Sequence, residues 1–543
     1  MKTLVKPRLF TLIKNKWLFF SSIIIVLLLC PIISIFLASL EFNFSIWNHL
    51  ISTKLLIYIS NTMILLLGVG CTSLIIGLST AWVIAKNDFP FSKIIEWALI
   101  LPLAIPAYIV AYCYTDFLEY GGPIQTLLRN TFSFQSSKDY FFPEIRSMGG
   151  AIFVMSFVLY PYIYLISKIS FLSTPISLYE LAKIHGKSTF FHAGLPMARP
   201  AIVAGLSLVL METISDFGTV EFFAVETLTL GIFNLWIGMN DFAAASQVAL
   251  FSFTFVFVLL GIELSARKRK QFYDSQIKSI KYFKNNLNKT ESFFAIMFCL
   301  IPIVFGFLIP VIILIEQCSN KFFEQNFVSL FEIATNTLAV ASISAIIIVI
   351  ISTLLALTTK FKSGKSFKYF ATTAGVGYAF PGVMLALGTT YFFSSIQSYE
   401  ILNEINLIGT FFALIFAYVA RFNAIGYGAI NAGTLRIPAN LMDASLTLGY
   451  KFEKSLFKII FPILKPSLLI AGILAFVDIA KELPITLILR PFDFETLSTY
   501  VYQYAKDEMF EDSAFAALLI VLTGLIPIFI LNKFVKPERF LNQ

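Results

Sequence analysis

The 543-residue chain is 58% hydrophobic and 13% charged, carries 59 phenylalanines, and has a mean hydropathy of +0.82. That composition excludes a soluble globular protein, and the apolar runs of about twenty residues point to an all-α polytopic membrane protein. The net charge of +8 does not signal nucleic acid, because lysine and arginine concentrate in particular loops as the positive-inside rule requires.

The chain opens with Lys2, Lys6, Arg8, Lys14 and Lys16 ahead of an apolar run from Trp17 to Leu40. The run is too long for a signal-peptide core, and Leu27, Leu28 and Leu29 before Cys30 are too bulky for lipoprotein processing. An uncleaved first span with a cytoplasmic N-terminus is predicted. Hydropathy predicts about twelve spans. Those of the first half lie near 18–40, 57–85, 94–117, 149–171, 198–220 and 243–264. Those of the second half lie near 293–316, 333–359, 371–396, 406–430, 465–488 and 512–533. Inside loops are those with Lys86 and Lys93, with Lys168, Lys183, Lys187 and Arg199, with Lys360, Lys362, Lys365 and Lys368, and with Lys451, Lys454, Lys458 and Lys465. Outside loops hold Glu221, Glu226 and Asp241, or Glu400 and Glu404, or Asp507, Glu508, Glu511 and Asp512. Both termini are then cytoplasmic.

A basic, polar segment, 267–291, begins Arg267-Lys268-Arg269-Lys270 and reads as a cytoplasmic linker between transmembrane domains 1–266 and 292–543. The two domains are repeats. Asn61-Thr62 matches Asn336-Thr337, and Ala104-Ile105-Pro106 matches Ala379-Phe380-Pro381, both at an offset of 275. Glu226-Thr227-Leu228 matches Glu495-Thr496-Leu497 at 269, and Asp241 matches Asp512 at 271. Six spans per repeat make the copies parallel, with a pathway expected between them.

Each repeat interrupts its apolar spans with a polar, basic, helical island, Ser177 to Pro200 and Asn440 to Pro466. Each has an acid followed six residues on by a glycine (Glu180 and Gly186; Asp443 and Gly449) and then two prolines four apart (Pro196 and Pro200; Pro462 and Pro466). The glycines permit a bend or close approach, and the prolines suit the first turn of the next span. Two such helices related by a twofold suit a symmetric cytoplasmic partner; the bland alternative is a loop packed under the bundle.

Beyond the islands, Glu212 and Asp216 match Asp478 and Glu482 at an offset of 266. A spacing of four puts each pair on one helix face, near the outer mouth, and intramembrane acids face the bundle interior or water. They are candidates for lining a cation path, against local neutralisation, for example by Lys481. Arg421, a lone cation in the tenth span, is expected to snorkel to the cytoplasmic interface; pairing with one of the carboxylates is the other reading. Cys30, Cys71, Cys113, Cys299 and Cys318 show no metal or disulfide spacing and are expected to be small buried hydrophobes. His185-Gly186-Lys187-Ser188-Thr189 and Ser363-Gly364-Lys365-Ser366 resemble Walker-A ends, but Leu181 and Thr359 stand where the first glycine belongs. No catalytic constellation, stable metal site or bound cofactor is predicted.

The island pattern resembles the EAA loop of ABC importer permeases. METISDFGTVEFFAV from Met211 and DIAKELPITLILRPFDFETL from Asp478 are similar to segments of the fused, two-repeat ferric-iron permeases. The resemblance spans nearly the whole chain and implies a bacterial inner-membrane permease that is not itself an enzyme. It implies two copies of a cytoplasmic ATPase, which bind the ATP and magnesium, and a periplasmic ferric-iron-binding protein. By it, Glu180, Ala182, Gly186 and Pro196, with Asp443, Ala444, Gly449 and Pro462, form coupling loops at 177–195 and 440–461. The family's thirteen-residue interval from glycine to proline is kept between Gly449 and Pro462, but Gly186 to Pro196 is ten. Asp443 replaces the usual Glu, and Leu181 and Ser445 interrupt the alanine pair, so a shorter or asymmetrically docked first coupling helix is expected. Other readings are a permease for thiamine or another small solute, and an ion-driven secondary transporter, which leaves the islands unexplained.

Overall fold

The computed structural model describes residues 16–41, 44–270, 284–362, 364–398, 406–435 and 437–534. The basic run before Lys16, the middle of the linker, Ser363, and Glu400 and Glu404 lie outside the described residues. Among those described, nine helices are long and apolar enough to cross a membrane, or eleven if each of two bent pairs is one span. The protein is a multi-pass, all-α membrane protein. Its strand pairing among the described residues is a two-residue parallel bridge, Asn87–Asp88 with Asn285–Asn286. The sixth predicted span falls on the helix Phe242–Lys270.

The structure corrects four predicted spans. The third and ninth are broken: Ser92–Ala104 meets Ala107–Phe132 at 90°, and Phe367–Ala379 meets Gly382–Gln397 at 112°. Each break follows from the repeated Ala-Xaa-Pro. A residue before proline is pushed out of the helical region, and Ile105 (φ −104°, ψ 123°) and Phe380 (φ −92°, ψ 137°) are extended. Pro106 and Pro381 then start the second helix of each pair. The fifth and eleventh spans, expected to reach 220 and 488, end at Ser215 and Ala480. Short helices, Gly218–Phe222 and Pro484–Leu489, follow.

Proline also widens helices. Five-residue π turns cover Phe190–Gly194, Val304–Leu308 and Leu456–Ile460, each ending two residues before Pro196, Pro310 or Pro462. A proline ring clashes with the carbonyl four residues back, which here is the middle residue of each π turn. The residue before each proline instead bonds five back, as Leu195 does to the Phe190 carbonyl.

The chain packs as two compact units, Met1–Phe42 with Val328–Thr499 and Asn43–Phe327 with Tyr500–Gln543. Boundaries at 1–266, 267–291 and 292–543 describe the duplication, and the packed units cut across them. The first span, Lys16–Ala38, packs on the second repeat: Ser21 donates to Thr358 at 2.9 Å, and Trp17 meets Phe452 edge-on at 5.6 Å. The seventh, Lys289–Lys321, packs on the first repeat, where the Tyr114 hydroxyl donates to the Phe305 carbonyl at 2.7 Å and Gln317 to Asp116 at 2.8 Å. Cys113 and Cys299 are buried, Cys30 and Cys318 half-buried, and Cys71 is exposed, which corrects the expectation of burial for that residue.

The repeated motifs meet each other inside each unit. Thr62 accepts from the Leu228 N–H at 3.0 Å, and its counterpart Thr337 from the Leu497 N–H at 2.8 Å. Thr229 donates to the Ile214 carbonyl at 2.7 Å, and Ser498 to the Ala480 carbonyl at 3.1 Å. These bonds tie the segment after the fifth or eleventh span back to that span and to the second or eighth. A buried backbone group left unpaired costs about as much as a lost hydrogen bond, which accounts for the repetition of those residues.

Candidate functional site

Each island begins with a helix of nine residues, Ile176–Ile184 and Ala439–Thr447, started by Pro175 and Pro438. The first helix is therefore not shorter, contrary to expectation. The three missing residues fall in the return: Lys187–Thr189 joins Gly186 to the π turn, whereas the second island inserts a further short helix, Phe452–Ser455, between Gly449 and its π turn. The two starting prolines were not singled out from the sequence, although each stands five residues before the acid.

The two glycines share one task. Gly186 (φ +65°) and Gly449 (φ +85°) are left-handed. The Gly186 N–H bonds to the Lys183 carbonyl at 3.0 Å and the Lys187 N–H to the Ala182 carbonyl at 2.9 Å. Gly449 and Tyr450 repeat this on Leu446 and Ser445, at 3.0 and 3.2 Å. This is a Schellman stop, in which a left-handed residue satisfies the last helix carbonyls. A Cβ at either glycine would meet nothing within 4 Å, so the backbone angle, not close approach, requires glycine.

One face of each helix is buried and the other is bare. Tyr179 and Ala182 pack inward, as do their counterparts Met442 and Ser445, while Glu180, Asp443 and Ala444 are exposed. Exposed apolar side chains flank the acids: Leu181 and Ile184 (80% exposed) in the first island, Leu446 and Leu448 (78%) in the second. Tyr179 donates to the Phe171 carbonyl at 3.1 Å, and burial pushes its phenol above the ordinary value while a hydrogen bond with Thr174 lowers it. Pro196 and Pro462 stand just after the π turns and set where the islands rejoin their spans. Gly186 and Lys187 follow a helix, not the strand a Walker-A loop needs.

The four carboxylates divide between the units, Glu212 and Asp216 in one, Asp478 and Glu482 in the other. Because the helices end at Ser215 and Ala480, neither pair lies on one helix face, which corrects the spacing argument. Asp216 Oδ1 accepts from the backbone of Thr219 at 2.9 Å and Val220 at 3.3 Å, and Oδ2 from the Thr219 hydroxyl at 2.9 Å. Glu482 Oε1 accepts from the Ile485 N–H at 3.2 Å. Both therefore close the first turn of the short helix that follows, as carboxylates do at helix starts.

Arg421 does not snorkel. Its Nη1 donates to Glu482 Oε1 at 2.7 Å, with both side chains about 8% exposed. A Cβ on Gly382, the first residue after the ninth-span break, would lie 2.3 Å from Arg421 Nη1 and 2.7 Å from Glu482 Oε1. The ion pair thus joins the tenth span to both helix breaks of its unit. Lys481 pairs with Asp478 at 3.1 Å. Among the described residues no group of three or more His, Cys, Asp or Glu is arranged to hold a metal ion.

Residues 73–269 match the family described as binding-protein-dependent transport system inner membrane component. The Fe(3+)-transport system permease protein FbpB 2 of Haemophilus influenzae is 25% identical over 497 residues, 88% of this chain and 89% of that protein. The ferric transport system permease protein FbpB of Actinobacillus pleuropneumoniae is 22% identical over 87% of this chain and 70% of that protein. The molybdenum transport system permease protein ModB of Haemophilus influenzae is 24% identical over 37% of this chain and 88% of its own length.

Proposed function

We propose that the chain is the permease of an ABC importer, akin to the binding-protein-dependent transport system inner membrane components that residues 73–269 match, that it takes its ATPase from a separate subunit and is not itself an enzyme, and that its cargo is ferric iron. The observation that carries the cargo is the extent of the ferric-permease likeness, 88% of the chain through both repeats. The molybdenum permease likeness covers 37%. The DFGTVEFF and KELPITLILRPFDFETL segments support the same cargo. They form the turns after the fifth and eleventh spans, where Asp216 and Glu482 are engaged.

Two ATPase copies dock on the two islands, with Leu181 and Ile184, and Leu446 and Leu448, supplying apolar contact around Glu180 and Asp443. Gly186 and Gly449 end each coupling helix sharply, and Pro196 and Pro462 pass its displacement into the fifth and eleventh spans. The islands and both termini face the cytoplasm of a bacterial cell, and a periplasmic binding protein delivers iron to the other face. Glu212 and Asp478, the latter paired with Lys481 at 3.1 Å, carry oxygen atoms of the kind a hard cation in transit prefers. Asp216 and Glu482 hold the turns beside them.

The test is uptake of radioactive iron by vesicles containing the permease and its ATPase, driven by ATP and supplied by the ferric-binding protein. Wild type is expected to accumulate iron, and a Glu212→Ala/Asp478→Ala variant of normal assembly to lose most of it. Uptake that persists without any ATPase sinks the importer reading. ATP-driven uptake of molybdate but not iron sinks the cargo.

A further inference from the structure

A pocket of about 250 Å³ lies under the first island, lined by Trp82, Lys86, Tyr179, Glu180, Lys183 and Thr189, with the amides of Asn87 and Asn285 at its edge. At about 30 Å³ per water, that is room for roughly eight waters, enough for a polar headgroup. We propose that it binds a phosphate group, supplied by an anionic phospholipid at the end of the second span, and that this ligand fastens the first island to that span.

The chemistry of the lining sets the ligand. Lys86 is the last residue of the second span, Leu55–Lys86, and Lys183 comes from the island helix, so two ammonium groups approach from different elements. The Lys86 ammonium rests on ring faces, 3.2 Å from the centre of Tyr179 and 5.9 Å from that of Trp82. Cation–π contact leaves the hydrogen-bonding side of an ammonium able to meet an anion. Glu180 is the one carboxylate in the lining, so one positive charge remains in excess. The Asn285 amide and the Thr189 hydroxyl are neutral groups that can donate, while the Asn87 amide is held by the Val83 carbonyl at 3.1 Å. A phosphate diester offers the matching acceptors, and basic pockets at the ends of membrane helices recognise such headgroups.

The second repeat shows that this pocket is not a necessary feature of an island. At the repeat offset of 275, Leu357 and Phe361 stand in place of Trp82 and Lys86. At the island offset of 263, Met442 and Leu446 stand in place of Tyr179 and Lys183. Leu357 and Met442 are buried in one cluster with Leu456, Ile460 and Leu464, and Phe361, Phe452 and Trp17 pack against it. Phe452 belongs to the longer return that the first island lacks. The shorter return thus leaves the first site unfilled, and the residues around it are charged where the second has hydrocarbon.

The experiment uses the full chain in nanodiscs of phosphatidylcholine with added phosphatidylglycerol, and counts retained phosphatidylglycerol by native mass spectrometry after extraction. Wild type is expected to retain one more molecule than Lys86→Gln or Lys183→Gln; the latter lies on the exposed island helix and keeps folding out of the comparison. Inorganic phosphate titrated into phosphatidylcholine discs, followed by Trp82 emission against a Trp82→Phe control, distinguishes the source. A lysine-dependent response to free phosphate without lipid retention assigns a soluble phosphate ligand instead of the lipid. Equal retention in all three proteins, with no response to phosphate, overturns the site. Neither readout depends on the cargo or on ATP, so failure of the iron reading leaves this test intact.

Discussion

From Pro175 to Gly186 and from Pro438 to Gly449 the two islands run through the same backbone: proline start, nine helical residues, left-handed glycine. Below that backbone they diverge. The second island rests on a hydrocarbon cluster and is closed by a hydrogen bond from Ser445 to Ser455 at 2.8 Å, both residues buried. In the first, Ala182 replaces Ser445 and the short return brings Thr189 to the lining of a polar pocket. The feature shared by both copies is the one that presents an acid and exposed leucine or isoleucine outward, and the feature that differs is the support. Duplication has therefore kept the exposed surface while the mounting drifted. The carboxylate turns show the same division: Asp216 and Glu482 cap equivalent short helices, but only Glu482 has a buried arginine partner.

The largest expected effect breaks that second contrast. Arg421→Met removes the ion-pair partner of the buried Glu482, which costs about 3–5 kcal/mol. Asp216→Ala removes only helix-start hydrogen bonds, about 1 kcal/mol. Thermal unfolding in nanodiscs should rank the variants in that order, and Arg421→Met/Glu482→Gln should recover most of the loss. Equal losses from Arg421→Met and Asp216→Ala would show that the ion pair does not distinguish the repeats. The islands, in contrast, should respond alike to loss of the stop. Gly186→Ala and Gly449→Ala each force a Cβ into the left-handed region, at about 1–2 kcal/mol. ATP hydrolysis stimulated by the binding protein, measured on the assembled complex, should fall for both by a similar factor. A fall for Gly449→Ala alone would mean that only the conventionally spaced island couples.

The span pattern was legible because hydropathy and loop charge act over long windows, and the repeat was legible because its shared residues bond to each other, as Thr62 and Leu228 do. The breaks at Ile105 and Phe380 could have been read from the proline that follows each, but the apolar run hid them: hydropathy does not register backbone direction. Arg421 was misplaced for a different reason. Snorkelling assumes the nearest polar environment is the interface, whereas Glu482 stands 61 positions along the chain at a helix end no periodicity marks. The acid–glycine spacing of the islands was visible, but the role of the glycine was not, since a Schellman stop is identified by φ and two hydrogen bonds. The equal length of the island helices was also hidden, because a deletion seen between glycine and proline does not say on which side of the turn it is absorbed.

The smallest effect sharpens the contrast in support. Ser445→Ala removes one partner of a buried hydroxyl pair and turns the second island toward the first, which already has alanine there. Ser455, the acceptor in that pair, still donates to the Lys451 carbonyl at 3.1 Å, so no buried donor is stranded and the loss should be about 1 kcal/mol. The apolar cluster beneath remains, and the exposed face with Asp443, Leu446 and Leu448 is unchanged. ATPase affinity, measured by titration of the partner onto the permease in nanodiscs, should therefore hold within about twofold, a difference of roughly 0.4 kcal/mol. A tenfold loss would mean that docking reads the stiffness of the mounting as well as the surface. In that case the first island, which has Ala182 in place of Ser445, would have to be the weaker of the two docking sites until its pocket is filled.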